Sequence, residues 1–162
     1  MAKILITGGT GYIGSHTAIE LLEAGKYEVL SIDNQVNSSL KTADRVKQIT
    51  GKEMQNYSLD LTDMQAVKAI FQAHDDIVAV VHFAALKAVG ESVEKPLWYY
   101  RNNFVSLMNM LECCEEFGVN NFIFSSSCSV YGNIDKLPVT EETPTSITAS
   151  PYAETKLVGA RI

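Results

Sequence analysis

Short apolar runs alternate along this chain with stretches of helical periodicity, the pattern of successive strand–helix–strand units feeding a parallel sheet. The first strand is Lys3–Thr7, followed by a helix over residues 13–23 with Ile19 and Leu22 on one face and Gly25 placed to end it. Glu28–Ile32 forms a second strand, and a polar stretch, 34–39, leads to a helix over 41–49 that Gly51 closes. A short third strand spans 53–57, a helix spans 63–74, and the unbroken apolar run 77–83 has the composition of a strand buried on both faces. A long helix covers 96–117, with Pro96 suited to its first turn and Gly118 to its stop; residues 121–126 make strand five. A polar loop, 132–149, ends at Ser150 and Pro151, a good N-cap followed by a good first helical residue. Five strands in this arrangement predict the order 3-2-1-4-5, with strand five at an edge. The final helix is cut short at residue 162 and no sixth strand follows. The expectation is therefore one domain, 1–162, from the N-terminal part of a longer polypeptide.

Composition narrows the classes. A hydrophobic content of 46% and a mean hydropathy of +0.03 describe a globular chain. No apolar run approaches the roughly 20 residues of a membrane span, and no signal peptide opens the chain. A net charge of −6 without a basic cluster argues against nucleic acid as the main partner. Cys113, Cys114 and Cys128 form neither a disulfide framework nor a zinc spacing, and adjacent Cys113 and Cys114 read as packing residues. His16, His74 and His82 lack metal-ligand spacing, and His82 reads as a structural histidine on a buried strand. Neither a membrane nor a metal is expected, and the cysteine usage points to a reducing, cytoplasmic setting.

The chemistry begins where strand one runs into Gly8-Gly9-Thr10-Gly11-Tyr12-Ile13-Gly14-Ser15. Backbone N–H groups at a helix start are unpaired and lie at the positive end of its dipole, so an anionic pyrophosphate can settle there. Gly8 serves the tight turn, Gly11 the approach of phosphate, and Gly14 close packing of the helix on the sheet. The spacing Gly-x-x-Gly-x-x-Gly differs from the commoner Gly-x-Gly-x-x-Gly, but its place between strand and helix gives it weight. It makes the expected fold a Rossmann-type, doubly wound parallel α/β sheet. Asp33 ends strand two, nineteen residues after Gly14, where a carboxylate accepts from adenosine ribose hydroxyls and repels a 2′-phosphate; this favours NAD over NADP. Asp60, beside Leu61, can accept from an adenine amino group or cap the next helix.

The second constellation is Ser127, Tyr152 and Lys156. Tyr152 and Lys156 stand at i and i+4, hence on one face of the last helix. A phenol is a poor base at its ordinary pKa of about 10; a nearby ammonium and an oxidised nicotinamide both favour the phenolate. Lowering a phenol by about three units takes roughly 4 kcal/mol, within reach of two adjacent charges in a sheltered site. Ser127, just past strand five, can donate to or accept from a reacting oxygen. Tyr-x-x-x-Lys alone is a common helix pattern. It gains meaning here from the glycine turn and from a serine cluster at the carboxyl end of strand five.

Together these segments resemble the extended short-chain dehydrogenase/reductase superfamily, and within it the UDP-glucose 4-epimerase family. The resemblance rests on Thr7 to Thr17, on Phe83-Ala84-Ala85-Leu86-Lys87-Ala88-Val89-Gly90-Glu91-Ser92, on Phe124 to Gly132, and on Ser150-Pro151-Tyr152-Ala153-Glu154-Thr155-Lys156. It implies NAD contacts at Tyr12, Ile13, Asp33, Asn34, Gln35, Val36, Asn37, Ser38, Asp60, Leu61, Phe83, Ala84, Ala85, Leu86, Lys87, Asn102, Tyr152 and Lys156, with Gly8, Gly11 and Gly14 in the phosphate turn. Lys87, Ser127 and Tyr152 would touch substrate, with Tyr152, Lys156 and Ser127 catalytic. Ala85 replaces the usual glycine, Cys128-Ser129 an Ala-Thr pair, and Arg101 stands where an acidic residue is common.

The implied activity is NAD-dependent interconversion of UDP-glucose and UDP-galactose through a 4-keto sugar, by a homodimer in the intact protein. The substrate lobe would follow residue 162, so the chain alone is expected to show little turnover. The alternatives are a UDP-sugar dehydratase or decarboxylase of the same superfamily, or a dinucleotide-binding protein without turnover.

Overall fold

Five parallel strands form the sheet in the order β3-β2-β1-β4-β5, as the alternation of elements predicts. A computed structural model describes residues 1–134 and 137–162. In chain order the elements are β1 (Lys3–Thr7), α1 (Tyr12–Ala24), β2 (Glu28–Ile32), α2 (Lys41–Thr50), β3 (Met54–Tyr57), α3 (Met64–Ala73) and β4 (Ile77–His82). They continue with α4 (Val89–Glu94), α5 (Pro96–Glu116), β5 (Phe122–Phe124), a 3₁₀ turn (Cys128–Tyr131) and α6 (Pro151–Gly159). Residues 135 and 136 of the expected polar loop lie outside the described residues.

The chain divides into two compact units, residues 1–84 with 105–123, and residues 85–104 with 124–162. In the first, strand alternation sends side chains to opposite faces of the sheet. Leu5, Leu30, Ile32 and Val80 pack with Val67, Ile70 and Phe71 of α3 and Met110, Cys113 and Cys114 of α5. Ile4, Ile6, Val29 and Val81 pack with Ala18 and Leu22 of α1 and Val46 of α2. Cys113 and Cys114 are thus the packing residues their neighbourhood in the sequence indicated. His82 is buried, its Nδ1 2.9 Å from the Thr7 hydroxyl, in the structural role expected of it. Gly25, Gly51 and Gly118 all adopt left-handed backbone at helix ends.

Strand register sets the level at which the candidate site residues leave the sheet. Thr7 lies opposite both Ile32 and His82, and Ile32 lies opposite Tyr57. The ladder runs one step further: Gly8 N–H donates to Ile32 C=O at 2.8 Å, Asp33 N–H to Tyr57 C=O at 3.1 Å, and Phe83 N–H to Thr7 C=O at 3.1 Å. Gly8, Asp33 and Phe83 therefore leave the carboxyl ends of β1, β2 and β4 at one level.

The second unit contains α4, the first turns of α5, the 3₁₀ turn and α6. Its buried residues include Leu86, Tyr99, Val130, Ala153 and Leu157. Ser150 caps α6 as expected, its hydroxyl accepting from Ala153 N–H at 3.2 Å.

Two elements depart from the pattern read along the chain. Helix α4 was not anticipated; its six residues Val-Gly-Glu-Ser-Val-Glu are too few to display a helical period. Strand β5 is three residues long instead of the expected 121–126. Beyond its carboxyl end the Ser125 carbonyl is taken by the ammonium of Lys156 at 2.7 Å, a partner that strand propensity does not register.

Candidate functional site

The first group of site residues lies in the first unit. Helix α1 begins at Gly11 with no side-chain cap and no acidic residue in its first turn. The helix therefore brings no anionic side chain of its own to its leading amides and positive dipole end. Gly8 and Gly14 are required sterically. Gly8 has φ +73°, and a Cβ there would lie 3.0 Å from the Ala84 nitrogen. A Cβ on Gly14 would lie 2.3 Å from the Gly8 carbonyl oxygen and 2.8 Å from the Gly9 Cα. Gly14 therefore lets the helix close on the turn itself, where close packing on the sheet was expected.

Asp33 organises the rim of this turn. Its Oδ2 accepts from Thr10 N–H at 3.1 Å, and its Oδ1 from Gln35 N–H at 2.9 Å and from the Ser38 hydroxyl at 2.8 Å. Thr10 Oγ1 and Ser38 Oγ are 2.7 Å apart, so the glycine turn and the 34–38 loop are tied through one carboxylate. Two oxygens offer about four acceptor positions, and these three bonds leave Oδ2 with one for an incoming hydroxyl. Within the loop, Gln35 takes left-handed backbone at φ 57°, its side-chain amide donates to Asp33 C=O, and Asn34 Oδ1 accepts from Val36 N–H. Val36 and Asn37 are exposed, as are Tyr12 and Ile13 at the head of α1.

Asp60 accepts from both the amide and the hydroxyl of Thr62 at 2.8 Å, while Asp63 caps α3 by accepting from Gln65 and Ala66 N–H. The capping alternative for Asp60 thus passes to Asp63. Leu61 is buried, and its carbonyl accepts from Asn109 Nδ2 at 2.8 Å. Phe83 and Ala84 follow β4, and Ala84 N–H donates to Thr7 Oγ1 at 3.2 Å.

The second group lies in the second unit. Tyr152 is half-buried in the first turn of α6, and Lys156 stands one turn on, only 4% exposed. The Lys156 ammonium donates to Ser125 C=O at 2.7 Å and sits 4.8 Å from the centre of the Phe124 ring. Burial lowers its pKa from 10.5 to about 8, so it can gain or lose a proton near neutrality. Ser127 opens the 3₁₀ turn that packs on α6; its hydroxyl accepts from Ser129 N–H at 3.2 Å and lies 2.9 Å from Ser129 Oγ. Ala85 is half-buried, Lys87 is exposed, and Leu86 between them is buried. Asn102 is half-buried and donates through Nδ2 to Asn103 Oδ1 at 3.0 Å. Among the described residues no group of three or more His, Cys, Asp or Glu side chains is placed to hold a metal ion.

Several residues that shape these groups were not singled out along the chain. A Cβ on Gly9 would fall 2.2 Å from Ser31 Oγ, whose hydroxyl donates to Asn56 Oδ1. Thr7 and Thr10 anchor the glycine turn from within it, and Asn109 fixes Leu61. Asn103, Tyr99 and Thr155 are all buried and hydrogen-bonded around Leu86 and Ala88. A signal for one of them was present: two consecutive asparagines inside a long helix are poor helix formers, which marks a polar task there.

Comparison with known proteins places these residues in context. A family model described as GDP-mannose 4,6 dehydratase matches residues 5–162. The UDP-glucose 4-epimerase of Bacillus subtilis is 51% identical over 155 residues, covering 96% of this chain and 45% of that protein. The UDP-glucose 4-epimerase of Haemophilus influenzae is 49% identical over 159 residues, covering 98% and 46%. The crystal structure of the Bifidobacterium longum UDP-glucose 4-epimerase, in complex with NAD+ and UDP, superposes with a TM-score of 0.95 at 47% identity. That match covers 99% of this chain and 47% of that one. The chain spans a little under half the length of each of these relatives.

Proposed function

Because the chain belongs to the family described as GDP-mannose 4,6 dehydratase, we propose that it is the NAD-binding portion, residues 1–162, of an enzyme that interconverts UDP-glucose and UDP-galactose by 4-epimerisation. The observation that carries this reading is identity at about half of all positions, over nearly the whole chain, to proteins that are UDP-glucose 4-epimerases.

The residues present fit NAD. The first turn of α1 carries no acidic residue, the turn before it leaves no space for Cβ atoms at Gly8 and Gly14, and the rim carboxylate keeps an acceptor position. Gly8, Gly11 and Gly14, with the amides of Tyr12 and Ile13, would hold the pyrophosphate. Asp33 would accept from the adenosine ribose, with residues 34–38, Asp60 and Leu61 around the adenosine. Phe83, Ala84, Ala85, Leu86, Lys87 and Asn102, together with Tyr152 and Lys156, would serve the nicotinamide end. When bound, NAD supplies a reversible acceptor of hydride.

In this mechanism Tyr152 takes the proton of the sugar 4-hydroxyl as C4 becomes a ketone. It returns that proton after the 4-keto sugar has presented its other face. Lys156, held by Ser125 C=O, presents its positive charge one turn beyond Tyr152 on the same helix, and Ser127 hydrogen-bonds the same sugar oxygen. Lys87 supports cofactor and substrate and exchanges no proton. The same proposal makes the complete polypeptide a cytoplasmic homodimer acting in galactose metabolism; light scattering at twice the chain mass checks the assembly. Among the described residues no helix is long and apolar enough to cross a membrane.

The test is product analysis on the complete polypeptide, followed by Tyr152→Phe. The expected product is the C4 epimer, and Tyr152→Phe should lower turnover by about a hundredfold or more with NAD retained. A dehydrated or shortened sugar would assign the chain to a different reaction, and retained NAD without turnover would make it a binding protein. The 162-residue chain alone is expected to give little or no epimerisation.

A further inference from the structure

We propose that Asn103 is a positioning residue, which locks the backbone beside Lys87 to the helix bearing Tyr152 and Lys156. The proposal rests on the roles that the proposed function gives to those three side chains.

Asparagine is unfavourable inside a helix unless its amide is used, and here every valence of that amide is placed. Oδ1 accepts from Leu86 N–H at 2.9 Å and from Asn102 Nδ2 at 3.0 Å. Nδ2 donates to Leu86 C=O at 3.0 Å and to Thr155 Oγ1 at 3.0 Å. The side chain thus grips both backbone groups of Leu86, much as a neighbouring strand would. The opposite amide orientation would set NH₂ against N–H, so the network itself fixes the orientation.

Thr155 continues the chain of bonds. Its hydroxyl accepts from Asn103 and donates to Tyr152 C=O at 2.7 Å, so both of its directions are committed. Both residues are buried, where such bonds are stronger and a missing partner is costly.

A second grip stands one helical turn earlier on the same face of α5. The Tyr99 side chain is fully buried; its hydroxyl accepts from Ala88 N–H at 3.1 Å and donates to Glu91 Oε2 at 2.9 Å. Leu86 and Ala88 are therefore both held from α5, while Lys87 between them remains exposed. The backbone is fixed on either side of the one residue whose side chain is left to act. Asn103, through Thr155, extends this grip to the helix of Tyr152.

The test uses the complete, NAD-loaded polypeptide with Asn103→Ala, Thr155→Val and Thr155→Ser. Misplacement of reacting groups acts on the chemical step, so Asn103→Ala and Thr155→Val should each lower kcat by about tenfold or more. KM for the nucleotide sugar and the retained NAD should stay within about twofold, and Thr155→Ser, which keeps the hydroxyl, should restore kcat. An unchanged kcat, a loss confined to KM or NAD retention, or no difference between Thr155→Val and Thr155→Ser overturns the proposal. If Asn103→Ala does not fold, the Thr155 pair decides.

A second readout needs no turnover. In the NAD-free polypeptide, Thr155→Val should hasten hydrogen–deuterium exchange of the Tyr152–Lys156 helix, and Asn103→Ala that of the Leu86 amide, by about tenfold. Unchanged exchange overturns the grip. A parent protein that epimerises nothing refutes the proposed function, and the exchange rates then decide the grip by themselves.

Discussion

Lys156 places an ammonium where almost no water reaches it, and the protein holds it with one carbonyl and one aromatic face. That arrangement has a measurable consequence for stability. Burial lowers the folded-state pKa to about 8 from 10.5, so between those values the unfolded chain binds a proton that the native chain lacks. Stability from this residue therefore rises with pH from about 8 to 10.5, and the cost of the buried charge is fully present below about 8. The shift corresponds to a difference on the order of 3 kcal/mol. Urea unfolding of the NAD-free chain at pH 7.5 and pH 10 should show this gain relative to Lys156→Met, whose profile lacks it. Equal pH slopes for the two proteins would mean that the ammonium is hydrated in solution.

At the scale of elements, several candidate site residues sit where a strand ends or a helix begins. Gly8, Asp33 and Phe83 step off β1, β2 and β4 at one level because the parallel register aligns Thr7 with Ile32 and His82. Tyr152 rides the first turn of α6, whose start is set by Ser150. Ser150→Ala removes the acceptor for Ala153 N–H and should cost about 1 kcal/mol in urea unfolding, with fraying of the turn that carries Tyr152. Ser150→Asp, which keeps an acceptor, should recover most of that loss; equal losses for the two variants would show that the cap is not what starts the helix.

At the scale of the whole molecule, the three native cysteines report on folding through their reactivity. Cys128 is exposed, whereas Cys113 and Cys114 lie in the core of the first unit. Burial raises both buried thiols, Cys114 to about 12, so thiolate is scarce there as well as inaccessible. A thiol reagent at pH 8 should modify Cys128 at once. Cys113 and Cys114 should react only at the rate at which the first unit opens, and faster in urea. Prompt labelling of all three would mean that the core around α3 and α5 is open in solution.

What the amino-acid order determined by itself was anything carried by local period and punctuation. The alternation of strands and helices, the stops at Gly25, Gly51 and Gly118, and the start at Ser150 and Pro151 come from patterns within a few residues of each other, and the strand order was read from that alternation. The glycine turn and the Tyr152–Lys156 spacing were legible for the same reason. Tertiary structure alone decided which polar side chain met which backbone. Nothing near Lys156 in sequence foretells that it takes the Ser125 carbonyl 31 residues away. Nor does anything local separate Asn103, which grips Leu86, from its neighbour Asn102, or show that Gly9 must be bare because Ser31 occupies its Cβ position. Such contacts join residues that are distant along the chain, and only the packed sheet and helices bring them within hydrogen-bonding reach.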